Sequence, residues 1–261
     1  MNNLNVSLIQ ANLHWEQIDA NLAMFEEKIW SIDKTDLIVL PEMFTSGFSM
    51  NPESLAEPPG GKTFRWMRQM AGQKQAAIVG SYIVKEKNSF YNRLHFVYPD
   101  GSSQHYDKKH LFNLADEGEN YTAGSERLIV TYKGWRICPL ICYDLRFPVW
   151  ARSQKSKERP YEYDLLLYVA NWPDTRVNAW DTLLAARAIE NLSYTVGVNR
   201  IGVDASKKSY NGHTAAYSAL GKQLAFSSAE EIMNVELLAQ ELLDYREKFP
   251  FQLDADGFDL K

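Results

Sequence analysis

Trp135-Arg-Ile-Cys-Pro-Leu-Ile-Cys-Tyr-Asp-Leu-Arg-Phe-Pro-Val-Trp150 carries short apolar residues from position 137 to 141 into a cysteine, and then changes character at the polar turn Asp144-Leu145-Arg146. Lys133-Gly134 bounds the run upstream and Pro148 follows downstream. A compact apolar run between such signals reads as a buried strand, and proline suits the first turn of a helix. Cys142 therefore falls at a strand end. There, backbone N–H groups and a helix N-terminus can favour a thiolate and hold an oxyanion. The ordinary reading of a lone cysteine is a small buried hydrophobe, which also fits Cys138 four residues earlier.

Working outward, residues 4–9 read as an opening strand, and Leu22, Phe25 and Ile29 recur at helical spacing. Residues 36–40 form a second apolar strand, stopped by Pro41, which cannot donate to a sheet ladder. Glu42 follows it directly. Residues 43–61 and 115–125 read as long loops, a kind that is usually functional in compact domains; the second carries Glu117. Residues 63–73 read as a helix and 76–84 as a strand, and Leu94, Phe96 and Tyr98 alternate as in a half-buried strand. Lys108 follows another short strand. Beyond the cysteine, residues 164–170 make a buried strand closed by Asn171-Trp-Pro173, and Trp180, Leu183, Leu184 and Ala188 mark a helix. Residues 193–199 and 214–220 are further elements, and Ile232, Val235, Ala239 and Leu242 share one stripe of a C-terminal helix.

Strands and helices interleave, yet within residues 76–98 and 127–142 strands follow one another directly, which a purely parallel wound sheet does not allow. The expectation is a mixed-sheet α/β layer protein, one domain over residues 1–261. Residues 249–261 form a C-terminal tail whose Phe249, Phe251 and Phe258 can pack on their own domain or on a neighbour.

Composition narrows the partners. The 261 residues carry a net charge of −5, with 45% hydrophobic and 23% charged residues. No clustered Lys/Arg footprint for nucleic acid or an anionic membrane surface is expected, and no run approaches the ~20 apolar residues that span a bilayer. Two cysteines cannot build a disulfide framework, and the opening Met-Asn-Asn-Leu-Asn-Val lacks a basic segment before an apolar one, so a reducing cytoplasm is expected. Gly61-Lys62-Thr63 ends like a phosphate-binding loop, but Ala56 stands where its first glycine belongs. Cys138, Cys142, His110 and His213 lack paired ligand spacing, so no metal or cofactor is expected. No Gly-x-Ser-x-Gly elbow occurs. The expected partner is a small molecule.

Glu42, Lys108 and Cys142 each stand at a strand end. Taken singly, Glu42 reads as a solvated carboxylate and Lys108, beside Lys109, as a wet surface lysine. Taken together they supply an acid/base, a cation and a nucleophile beyond strand carboxyl ends, where the sites of open α/β sheets gather. His110 is expected to be a structural hydrogen-bonding residue, because the sequence identifies no Asn or Asp to complete a Cys-His-Asn triad.

Leu40-Pro-Glu42-Met-Phe, Tyr106-Asp-Lys108-Lys-His-Leu-Phe112 and Ile141-Cys142-Tyr-Asp-Leu-Arg-Phe-Pro148 resemble, in order, the three signature blocks of the nitrilase superfamily of carbon–nitrogen hydrolases. The likeness continues through Ala170-Asn-Trp-Pro173, Ala186-Arg-Ala-Ile-Glu-Asn191 and Val198-Asn-Arg-Ile-Gly202, and so covers nearly the whole chain. It implies a Glu42–Lys108–Cys142 triad, a four-layer α-β-β-α sandwich with two mixed sheets, a second buried glutamate at Glu117, and a homo-oligomer paired near the helix after Pro148 and the C-terminal segment. Within the superfamily the chain looks most like the omega-amidase branch, which hydrolyses the terminal amide of short 2-oxo dicarboxylic acid monoamides. Lys109, where many relatives carry an apolar residue, departs from the pattern. For amide hydrolysis the Tyr143 backbone N–H is expected to help Lys108 hold the oxyanion. A far carboxylate needs a cation, and Arg176, in the loop after the 164–170 strand, is the candidate, with Asn171 and Phe44 shaping the pocket; the alternative for Arg176 is a surface arginine in a polar loop. Another aliphatic amidase, an N-carbamoyl amide hydrolase, or a non-catalytic metabolite-binding or scaffold protein remain the alternatives.

Overall fold

The computed structural model describes residues 1–156 and 159–259. Along the chain its strands are β1 (Leu4–Gln10), β2 (Leu37–Val39), β3 (Ala77–Glu86), β4 (Ser89–Val97), β5 (Ser103–Asp107), β6 (Val130–Tyr132), β7 (Trp135–Ile141), β8 (Leu165–Val169), β9 (Tyr194–Val198), β10 (Ile201–Val203), β11 (Ser209–Asn211), β12 (Thr214–Tyr217), β13 (Gln223–Ser227) and β14 (Glu231–Leu237). The helices are α1 (Ile18–Trp30), α2 (Pro52–Leu55), α3 (Lys62–Lys74), α4 (Glu117–Asn120), α5 (Pro148–Ala151), α6 (Val177–Asn191) and α7 (Ala239–Lys248). One six-stranded sheet runs β14-β1-β2-β3-β4-β5, the other β13-β12-β9-β8-β7-β6, and β10 and β11 pair apart from both.

Each large sheet has a parallel centre, β1-β2-β3 or β7-β8-β9, flanked by antiparallel strands. That explains the unbroken apolar runs of β2 and β8, since a strand covered on both faces has no polar side to alternate with. Leu8, Val39, Val79, Ile137, Leu140 and Leu167 belong to one core shared by the two sheets. Phe25, Ile29, Met67 and Met70, on α1 and α3, cover the other face of the first sheet together with Ile9, Ile38 and Ile78. Trp180 and Leu184 of α6 pack over β9, where Gly197 leaves room for them: a Cβ there would lie 2.5 Å from Leu184. The layers run α-β-β-α, as expected.

One expectation is corrected. Ile232 and Val235 do not lie on the C-terminal helix: they belong to β14, which pairs antiparallel with β1 from Leu4↔Leu237 to Gln10↔Glu231. Met233, Val235 and Leu237 point inward at a period of two. The three-residue spacing of Ile232 and Val235 fits a helix as well, but β1 offers an open edge whose backbone groups need partners. The helix begins at Ala239, and its Leu242 is buried. The tail lies on its own domain through Gln252, whose Nε2 donates to the Ser153 carbonyl at 2.6 Å; the last two residues of the 249–261 tail fall outside the described residues.

A buried ion cluster ties α7 to the second sheet. Just before β8, Asp164 Oδ1 accepts from Arg136 Nη2 at 2.7 Å and from Arg246 Nη1 at 2.5 Å, while Oδ2 accepts from Arg136 Nε at 3.0 Å. Burial would raise the Asp164 carboxyl, but the two guanidiniums outweigh it and hold it below its ordinary value. A lowered carboxyl contributes stability above its unfolded pKa and loses it as pH falls through the folded one. Asp164→Asn strands Arg246 without its countercharge, so it should cost about 3 kcal/mol at pH 7 in a denaturant titration. The gap to wild type should begin to shrink below roughly pH 4, where the unfolded chain takes up the proton, and close as pH falls through the lower folded value; a gap independent of pH would remove the ion-pair explanation.

Candidate active site

Four side chains from four separate segments meet at the carboxyl ends of β2, β5 and β7. Glu42 follows β2 and is fully buried. Its Oε1 accepts from Lys108 Nζ at 2.9 Å and from Asn92 Nδ2 at 2.8 Å, and its Oε2 accepts from the Asn171 backbone N–H at 2.8 Å. Lys108, one residue past β5, also donates to both oxygens of Glu117 at 2.9 Å. Glu117 opens α4, and its Oε2 accepts from the Phe112 N–H at 2.6 Å. A buried ammonium thus lies between two buried carboxylates, with Phe48 packed 5.1 Å from Nζ. Charges this deep persist only when paired and hydrogen-bonded, and these are.

Cys142 takes the first position after β7 with φ of +43°. A non-glycine residue there costs about 1–3 kcal/mol. The turn that imposes it is held from beneath by Asp144, whose Oδ2 accepts from the Ile141 N–H at 3.0 Å and from Tyr106 Oη at 2.8 Å. His110 has the structural role expected of it: its ring pairs with Asp144 Oδ1 at 2.8 Å and stacks on Phe147. Asp144 is the carboxylate partner that sequence spacing did not reveal.

Burial and the nearby Glu42 charge push the Cys142 thiol well above its ordinary value, against the pull of Lys108. Burial alone would depress Lys108, but Glu117 and Glu42 more than reverse this and keep it charged. Burial and the Glu42 charge raise Glu117, partly offset by Lys108. These surroundings favour the thiol form of Cys142, with the Glu42 side chain beside it.

Cys142 opens into a cavity of about 440 Å³ that includes its open mouth. Phe48, Lys108 and Phe112 form one part of the wall; Tyr143 and Arg146 follow the cysteine; Asn171, Trp172, Pro173 and Arg176 come from the loop after β8; and Lys208 and Tyr210 come from the β10–β11 hairpin. The Arg146 guanidinium lies 5.0 Å from the Trp172 ring and that of Arg176 4.9 Å from the Phe112 ring. Among the described residues, Arg146, Arg176 and Lys208 have no carboxylate partner.

Glu42, Lys108, Glu117, Cys142, Tyr143, Asn171 and Arg176 therefore converge on one site. Phe44 does not line it. Its backbone N–H donates to the Ser81 carbonyl of β3 at 3.0 Å, and its ring turns into the core under α3, 5.5 Å from Phe25 and 5.9 Å from Trp66. Gly80 makes the space, since a Cβ there would stand 3.0 Å from the Phe44 ring. Phe48, four residues on, takes the wall position. Asn92, Phe48, Arg146, Lys208 and Tyr210 were not singled out from sequence. Arg146 stood inside the cysteine block and was legible as an unused cation, whereas Asn92 lies mid-strand in β4 with no local signal.

Comparison with known proteins agrees with this geometry. The model of the carbon-nitrogen hydrolase family matches residues 5–246. The chain is 44% identical to the omega-amidase YafV of Escherichia coli strain K12, covering 100% of both chains, and 32% identical to the 2-oxoglutaramate amidase of Bacillus subtilis strain 168, covering 94% of this chain and 95% of that one. A solved structure of a CN-hydrolase superfamily protein from Xanthomonas campestris, with an arsenic adduct in its active site, superposes with a TM-score of 0.97 at 43% identity over 100% of both chains. With a family model spanning nearly its full length and a shared α-β-β-α fold, the chain belongs to the carbon-nitrogen hydrolase family.

Proposed function

We propose that the enzyme is an omega-amidase that converts the terminal amide of 2-oxoglutaramate, 2-oxosuccinamate or a similarly short 2-oxo dicarboxylic acid monoamide into acid and ammonia. The observation that carries this reading is a cavity lined by Lys108 and Cys142, with Glu42 and Glu117 buried against Lys108, and with cations in its wall that have no carboxylate partner among the described residues. The names of two relatives, omega-amidase and 2-oxoglutaramate amidase, support it.

An amide needs a nucleophile, oxyanion stabilisation and a proton for departing ammonia. Cys142 Sγ attacks the amide carbon as its proton passes to Glu42. Lys108 Nζ and the Tyr143 backbone N–H hold the oxyanion. Glu42 returns the proton to nitrogen as the C–N bond breaks, leaving a thioester. With ammonia gone, Glu42 takes a proton from water, the hydroxide adds to the thioester carbon, and collapse expels the sulfur, which recovers the proton. Glu117 keeps Lys108 charged and aimed. Asn171 orients Glu42 by donating its backbone N–H to Oε2 and its side-chain Nδ2 to the Glu42 carbonyl at 2.5 Å.

The far carboxylate of the substrate needs a cation, and Arg176 supplies one. A charge-assisted contact of this kind contributes about 1.5–3 kcal/mol. Arg176→Ala should therefore raise KM for 2-oxoglutaramate roughly 10- to 100-fold and leave pentanamide, a neutral amide of similar length, nearly unaffected. Equal losses on both substrates would exclude carboxylate recognition by Arg176. The reading extends to a cytoplasmic homo-oligomer. Its supports are two free cysteines and the exposed Val149, Phe251 and Leu253 in the regions where the resemblance places pairing. Among the described residues no helix is long and apolar enough to cross a membrane.

A further inference from the structure

The β10–β11 hairpin belongs to neither large sheet. It projects beside the cavity, with β11 packed against the turn formed by Asp174–Arg176. Its base is built with unusual care for an appendage. Arg200, fully buried, donates from Nε to the Ile201 carbonyl at 3.1 Å, and its guanidinium lies 4.7 Å from the Tyr210 ring. Tyr210 Oη donates to Asp204 Oδ2 at 2.9 Å. The other oxygen of Asp204 accepts from the Lys208 backbone N–H at 3.0 Å, and the Asp204 N–H donates back to the Lys208 carbonyl at 3.0 Å. Lys208 is thus an exposed residue on a fixed backbone, and it lines the cavity while Lys207 does not.

Charge explains the arrangement. The chain as a whole carries −5, yet its cavity mouth gathers Arg146, Arg176 and Lys208 without carboxylate partners among the described residues. At the base, Glu42, Glu117 and Lys108 together carry −1 when both carboxylates are ionised. An anionic substrate is repelled by the base and attracted by the mouth, so the field orients it with the amide inward and the carboxylate outward. The two guanidiniums already rest on aromatic faces, whereas the Lys208 ammonium has no ring or ion partner among the described residues.

Resting on the omega-amidase reading, we infer that Lys208 is a specificity-determining residue, which closes with Arg176 on the far carboxylate of the substrate. The hairpin is then the arm that selects for a carboxylate at the far end of the amide substrate. Lysine suits this position: a compact ammonium on a flexible stem can follow a carboxylate as chain length changes from 2-oxosuccinamate to 2-oxoglutaramate.

Steady-state kinetics of wild type, Lys208→Met, Lys208→Arg and Lys207→Met on 2-oxoglutaramate and pentanamide test this. Lys208→Met should raise KM for 2-oxoglutaramate about tenfold with kcat within about twofold, and leave pentanamide unchanged. Lys208→Arg should restore most of the affinity, and Lys207→Met should behave as wild type. Rising ionic strength should raise the wild-type KM for 2-oxoglutaramate more steeply than that of Lys208→Met. If the wild type hydrolyses 2-oxoglutaramate and Lys208→Met matches its KM, or loses equally on both amides, or Lys207→Met loses as much, the role of Lys208 is overturned and the omega-amidase reading stands. If the wild type hydrolyses pentanamide but not 2-oxoglutaramate, both fall.

Discussion

Cys142→Ala should lose at least about 10⁴-fold in kcat/KM for amide hydrolysis, because removing the proposed nucleophile removes the covalent route and leaves only binding and the oxyanion donors. The fold should survive. The thiol is buried but sits in no ion pair, and replacing it by a methyl group changes little packed volume, so the unfolding free energy should stay within about 1 kcal/mol of wild type. Ammonia release and a denaturant titration on the same preparation separate the two effects. Substantial turnover by a folded Cys142→Ala enzyme would remove the thioester mechanism; loss of both activity and fold would make Cys142 a packing residue.

Lys108→Met should damage both activity and stability. Catalysis loses the proposed oxyanion partner, expected at about 10³-fold in kcat. Stability falls because Glu42 and Glu117 lose the ammonium lying 2.9 Å from each, and an uncompensated buried charge costs about 3–5 kcal/mol. The sign of the pH dependence follows from Glu117. Its carboxyl already lies above the ordinary value because of burial and the Glu42 charge, and the opposing pull of Lys108 is gone in the variant, so it rises further. A group whose folded pKa is raised contributes stability at low pH and loses it as pH increases through that pKa. The deficit of Lys108→Met relative to wild type should therefore be larger at pH 7 than at about pH 5. An equal deficit at both values would mean that the methionine perturbs packing and not charge.

The expected layers were largely legible because parallel strands buried on both faces leave unbroken runs such as Leu165–Val169, and because the outer helices keep a one-sided apolar stripe such as Leu22, Phe25 and Ile29. The edge strand β14 was misread for a physical reason: it is polar on one face, and Ile232 and Val235 satisfy a period of three as well as a stretch of strand. What decides it is a partner, β1, more than two hundred residues away. The site divides in the same way. Glu42, Lys108 and Cys142 could be found because each follows its own strand. Phe44 was misplaced and Phe48 missed because the direction of a loop side chain depends on where the backbone is tied, here by the bond from the Phe44 N–H to Ser81. Asn92 bonds Glu42 across fifty residues of sequence, and Lys208 reaches the mouth only through a hairpin braced by Asp204 and Tyr210. Neither relation has a local trace in the chain.

The cation-rimmed cavity makes one demand above the others: a carboxylate on the substrate at the end far from the amide. Ammonia release from 2-oxoglutaramate and from pentanamide by the purified enzyme measures this directly. A kcat/KM at least about 100-fold higher for 2-oxoglutaramate is expected, from two charge-assisted contacts that pentanamide cannot make. Equal kcat/KM for the two amides, or ammonia from neither, would contradict it.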